Sequence, residues 1–116
     1  MSENKRTVER YLEGFRRSDH AMVLSCLTDD VEWVIPGAFH LTGKAAFDAE
    51  IENPAFSGSP AIETTRLVEE TDVVVAEGTV QARRADGTAL SLVFCDVFLM
   101  RGSLIRHLTS YLMEVK

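Results

Sequence analysis

The chain has 116 residues, 46% hydrophobic and 26% charged, and its 12 Lys+Arg against 18 Asp+Glu give a formal net charge of −6. That length fits a single domain over residues 1–116 with one core. The acidic balance argues against nucleic acid as a partner, because phosphate binding calls for a basic patch that the isolated pairs Arg16-Arg17 and Arg83-Arg84 do not make. No apolar run reaches the roughly 20 residues that span a bilayer, and the N-terminal Met-Ser-Glu-Asn-Lys-Arg lacks a signal-peptide stretch. A cytoplasmic protein with no membrane partner is expected. Cys26 and Cys95, each flanked by apolar residues, read as buried thiols; a metal site would need more ligands at closer spacing. No metal and no cofactor are expected.

From Glu3 to Arg17 the apolar Val8, Leu12 and Phe15, with Tyr11 beside them, recur at helical spacing. Ser18-Asp19 caps a second helix whose apolar side carries Met22, Val23, Cys26 and Leu27, and Thr28-Asp29-Asp30 ends it. Val31 to Ile35 reads as a short strand stopped by Pro36-Gly37, and His40 falls in the loop that follows. A third helix is predicted over Lys44 to Glu52, before Asn53-Pro54, with a loop from Pro54 to Pro60. The second half changes character: Ala61 to Glu70, Asp72 to Arg83, Ala89 to Met100 and Ser103 to Val115 all read as strands rich in valine, leucine and isoleucine. Asp86-Gly87 and Arg101-Gly102 supply two-residue hairpin loops. Helices followed by a four-strand meander give an α+β domain.

Within the run Leu92-Val93-Phe94-Cys95-Asp96-Val97-Phe98-Leu99-Met100, Asp96 is the one charged residue. Burying an ionised carboxylate without partners is very costly, so such a residue is paired, protonated or facing a polar cavity. The two hairpin loops fix what lies beside it. If Ala85 pairs with Thr88, Asp96 lies opposite Glu77; if Met100 pairs with Ser103, Asp96 lies opposite His107. Directly opposed residues of antiparallel strands share a face with Cβ atoms ~5 Å apart. Glu77, Asp96 and His107 would then form a row able to hold and release protons near neutrality, with Thr79, Phe94, Phe98, Thr109 and Tyr111 as a mixed aromatic and hydroxyl lining. On a solvated sheet face the same row is only surface, and a bulge in either hairpin would break it.

The strings Val8-Glu9-Arg10-Tyr11-Leu12, Leu27-Thr28-Asp29-Asp30-Val31-Glu32-Trp33 and Asp96-Val97-Phe98-Leu99-Met100-Arg101-Gly102-Ser103-Leu104-Ile105-Arg106, in this order of elements, resemble the NTF2-like superfamily, specifically its SnoaL-like and ketosteroid-isomerase-like branch. The resemblance implies an NTF2-like cone, a strongly curved, mostly antiparallel sheet wrapped around three N-terminal helices. It also implies an apolar pocket at the open end and a homodimer formed through the outer sheet face. Tyr11 looks like the isomerase's oxyanion-hole tyrosine and Asp96 like its protonated partner. The isomerase's general base should fall near Trp33, Val34 and Ile35, none of which takes a proton, so steroid isomerisation by that mechanism is not implied. The arginine of the related epoxide hydrolases is replaced here by Phe94.

The expected activity is that of a cofactor-independent lyase, cyclase or isomerase acting by proton transfer on a small hydrophobic or aromatic carbonyl or hydroxyl compound. In that scheme His107 is the base, Asp96 tunes it, Glu77 shares the proton inventory and Tyr11 stabilises the oxyanion. Trp33 and His40 edge the ligand. The alternatives are a ligand-binding domain without turnover and a dimerisation module whose pocket is filled by its own side chains.

Overall fold

The computed structural model describes residues 2–115. Ser2 caps the first helix, α1 (Glu3–Arg16), by accepting from the Lys5 amide at 3.1 Å. Its buried stripe, Val8, Tyr11 and Leu12, follows the helical period. Asp19 caps the short α2 (His20–Leu24), its carboxylate accepting from the Met22 amide at 3.0 Å. Next come β1 (Leu27–Ile35), β2 (Phe39–Thr42), α3 (Lys44–Ile51), β3 (Phe56–Glu70), β4 (Val73–Arg84), β5 (Ala89–Arg101) and β6 (Leu104–Glu114). The sheet runs β2-β1-β6-β5-β4-β3 and does not close; only β1 and β6 pair in parallel. Helices and sheet share one core, centred on Val8, Val23, Val31, Phe47, Val74, Phe98 and Leu108, all shut off from solvent.

The α+β architecture and the meander agree with the sequence reading, with three differences. Thr28-Asp29-Asp30 belongs to β1, not to a helix end. A strand, β2, occupies the expected loop around His40: Phe39 and Leu41 alternate inward against Ile35 and Trp33, so the Pro36-Gly37 turn closes a hairpin. The expected Pro54–Pro60 loop is largely the start of β3, which pairs Phe56 with Arg84 and then slips register between Ser57 and Ala61. An edge strand with a bulge tolerates Pro60, because no ladder bond is needed from it.

The backbones of β3 and β4 approach closely at Gly78. A Cβ on Gly78 would lie 1.9 Å from the Glu63 carbonyl oxygen and 2.8 Å from the Phe94 ring. Glycine there allows β3, itself bulged between Thr64 and Arg66, to fold close over β4.

Candidate functional site

The inner face of β5 carries Leu90, Leu92, Phe94, Asp96, Phe98 and Met100, the more buried half of a strict alternation. Asp96 therefore points into the cone, as its apolar surroundings suggested. The expected row across the sheet does not form, and both hairpins show why. After β4 the chain uses a three-residue loop, Ala85-Asp86-Gly87: the Gly87 amide donates to the Arg84 carbonyl at 2.9 Å, and Gly87 takes φ +89°. A turn followed by a left-handed residue adds one position to the loop. Asp96 consequently sits opposite Ala76, and Glu77 opposite Cys95 on the outer face.

After β5 the turn is Gly102-Ser103, both at positive φ, with Arg101 opposite Leu104. A bulge follows. Met100 faces Ile105 but Leu99 faces His107, so Arg106 is the extra residue and every later side chain of β6 changes face. Asp96 meets Ser110 instead of His107. His107, paired with Leu99 and with Glu32, lies on the outer face. So do Thr79 opposite Val93, Thr109 opposite Val97 and Tyr111 opposite Cys95. Glu77 is occupied there by Arg66, Nε to Oε1 3.1 Å. His40, opposite Val34, also faces outward and meets Glu32 at 3.0 Å. Phe98 faces inward but is fully buried beneath Tyr11, ring centroids 5.4 Å apart, and lines no open space.

Four of the residues singled out from the sequence come together: Tyr11, Trp33, Phe94 and Asp96 line a cavity of about 560 Å³. That is the size of a small-molecule site. Apolar walls come from Phe15 on α1, Ile35 and Phe39 on the β1–β2 hairpin, and Val80, Ala82 and Leu92 on the sheet. Exposed residues from Glu52 to Ser59 form its rim. Ser110, which the sequence reading passed over, completes the polar part of the lining: Trp33 Nε1 donates to Ser110 Oγ at 3.0 Å in a buried bond. The indole is held by a stack on Phe47, centroids 4.4 Å apart, and by edge contacts with Phe15 and Phe39. A hydroxyl triplet, Thr109-Ser110-Tyr111, was visible in the sequence. Which member faced inward depended on the bulge at Arg106, which leaves no mark in a single sequence.

Burial pushes the Asp96 carboxyl up from its ordinary 3.8 to about 7; hydrogen bonding from Ser110 opposes this. Tyr11 is pushed well above 10, first by burial, then by the charge of Asp96 and of Cys26. At neutral pH the cavity thus holds a phenol that stays protonated and a carboxyl near half-ionisation. Burial raises both Cys26 and Cys95, so neither thiol is activated. Among the described residues no group of three or more His, Cys, Asp or Glu is placed to hold a metal ion. Among the described residues no helix is long and apolar enough to cross a membrane.

A curved, open sheet over three helices, with a ligand-sized cavity inside, defines an NTF2-like α+β cone. The SnoaL-like domain family matches residues 8–108, and the chain belongs to that family. Three solved structures show the same fold. An NTF2-like protein of unknown function from Burkholderia pseudomallei K96243 is 24% identical, with TM-score 0.88 over 95% of this chain and 90% of that one. TerC co-crystallised with polyporic acid is 24% identical, with TM-score 0.85 over 94% and 90%. An LEH-like epoxide hydrolase from M. tuberculosis is 19% identical, with TM-score 0.84 over 96% and 83%. A search of curated proteins finds no match. Identities at this level carry the fold and not the activity.

Proposed function

We propose that this SnoaL-like domain binds a small, uncharged, hydrophobic or aromatic carbonyl compound and moves a proton on it without a cofactor, as an isomerase or cyclase does. One observation carries the reading: a buried carboxyl, raised by burial to about 7, opens onto the cavity among aromatic and apolar side chains, while the other lining carboxylates, Glu50 and Glu52, are half-buried and exposed. A general acid–base works best with a pKa near the working pH, and proton transfer by such a group contributes about 10²–10⁴-fold. Asp96, not His107, is the base in this reading. The carboxylate removes a proton from the carbon next to the carbonyl, and the same group returns it at a second carbon. The Tyr11 hydroxyl donates to the oxygen on which charge develops. Apolar walls strengthen that bond by excluding water. The likeness to an epoxide hydrolase fold does not extend the reading to epoxides, because Phe94 stands where such chemistry would need a guanidinium.

The reading includes a cytoplasmic homodimer. Val93, Tyr111 and Met113 are exposed on the outer face of β5 and β6, and a second copy would cover them; molar mass by light scattering tests this part.

The test of function is exchange of α-carbon protons of a panel of aromatic ketones and lactones in D₂O, followed by NMR. Exchange above the buffer rate, abolished in Asp96→Asn and reduced in Tyr11→Phe, is expected. Binding of panel members with full affinity but no exchange would overturn the enzymatic reading and leave a ligand-binding domain.

A further inference from the structure

Three adjacent strands place Trp33 (β1), Ser110 (β6) and Asp96 (β5) side by side: Trp33 pairs with Leu108, two residues before Ser110, and Ser110 lies directly opposite Asp96. All three line the cavity. An indole N–H can only donate, whereas a hydroxyl has one O–H to give and two lone pairs to receive with. In the 3.0 Å contact between Trp33 Nε1 and Ser110 Oγ, the serine oxygen is therefore the acceptor. Its one hydrogen is left for another partner, and the strand pairing sets the Asp96 carboxyl directly opposite. The indole cannot swing away, because Phe47 stacks on it and Phe15 and Phe39 abut it.

We propose that Ser110 is the positioning residue for Asp96: the Trp33 indole fixes the serine oxygen, and the serine O–H thereby holds one carboxyl oxygen and leaves the other to exchange its proton with a ligand. The relay assigns the two carboxyl oxygens different tasks. One accepts from Ser110 in both protonation states, and the other carries the transferable proton.

The groups around the carboxyl make this arrangement influential. From α1 the titratable neighbour is Tyr11, neutral at ordinary pH. From β4 the facing residue is Ala76. Cys95 and Glu77 lie on the opposite side of the sheet. Among the described residues no cation opposes the cost of burial, and the Ser110 hydroxyl is the group that favours the carboxylate.

The inference deepens the acid–base reading of Asp96, yet it is tested without substrate, by a carboxyl-detected ¹³C NMR titration of the whole chain. Replacing Ser110 by Ala should raise the Asp96 midpoint by about one pH unit, as expected for loss of a hydrogen bond to a charged group. Ser110→Thr, which keeps the hydroxyl, should return it to the wild-type position. Trp33→Phe keeps the ring stack but removes the N–H, and should move the midpoint upward by less than Ser110→Ala. An Asp96 midpoint within about 0.2 pH unit of wild type in a folded Ser110→Ala protein would overturn the proposal. Should Ser110→Ala fail to fold, an unmoved midpoint in Trp33→Phe would overturn it equally. The two readings fail separately: titrations that follow the relay in a protein that exchanges no substrate proton would retire the enzyme and keep the positioning role.

Discussion

Replacing Asp96 by Asn removes the ionisable group while keeping its shape, and its stability effect follows from the site. Asp96 titrates at about 7 in the folded protein against an ordinary 3.8. Between those values the folded state binds more protons than the unfolded state, so stability falls as pH rises from about 4 to 7 and levels off above. The gap corresponds to about 4 kcal/mol at pH 8, at 1.36 kcal/mol for each pH unit. In the proposed relay the side-chain oxygen of Asn can still accept from Ser110. Urea unfolding of both proteins at pH 5, 6, 7 and 8 measures the difference directly, and pH effects from all other groups cancel in the comparison. Taking the two as equal when the carboxyl is protonated, the expected outcome is an Asn variant more stable by about 1.5 kcal/mol at pH 5 and by about 4 kcal/mol at pH 8. Parallel curves across that range would show that the carboxyl is hydrated, and the case for a buried acid–base group would fall with it.

Four further outcomes are expected. His107→Ala and Glu77→Gln should leave the Asp96 titration and any ligand affinity unchanged; a displaced Asp96 midpoint would return them to the cavity. Tyr11→Phe should weaken binding of a carbonyl ligand roughly tenfold, about 1.4 kcal/mol, measured by calorimetry. Gly78→Ala should destabilise by about 3 kcal/mol or more in denaturant, the upper end for overpacking, because the added methyl meets backbone. His20, bonded through Nδ1 to Asp48 at 2.6 Å and through Nε2 to Glu52 at 2.5 Å, has its pKa raised, first by Asp48 and then by Glu52. Its contribution is fully present below about pH 6.5 and lost as pH rises through the higher folded value. Thermal melts should accordingly show wild type above His20→Gln at pH 5.5 and the two converging at alkaline pH.

Much of the cone was legible because its signals are periodic and local. The α1 stripe of Val8, Tyr11 and Leu12, the Asp19 cap and the β-rich second half each follow from side-chain spacing. Asp96 stood out because a charge in an apolar strand has few affordable states. What could not be read was parity. A loop one residue longer at Asp86-Gly87, and one extra residue at Arg106, each turn a strand's later side chains over, since side chains alternate with a period of two. These steps moved Glu77 and His107 outside and brought Ser110 in. The β2 hairpin was missed for a different reason: four residues alternate too briefly to stand above a loop.

The energetic position of Asp96 bears on its function. A leucine there would add about 2 kcal/mol of apolar burial and remove the cost of about 4 kcal/mol that the carboxylate imposes above pH 7. Against a total stability of about 5–15 kcal/mol for a domain of ordinary kind, that is a large concession at one position. A structural role would require the carboxylate to hold something together, as the bidentate pair between Arg101 and Asp30 does at the surface. Asp96 bridges no cation among the described residues; the polar side chain directly opposite it is the Ser110 hydroxyl. The destabilising group is also confined to the cavity: the neighbouring inward positions, Phe94 and Phe98, are apolar. Cost without structural return, located where a ligand can reach it, is the pattern expected of a group kept for chemistry. Asp96→Leu should therefore be the more stable protein at pH 8 by urea unfolding, and should lose whatever proton exchange the cavity performs.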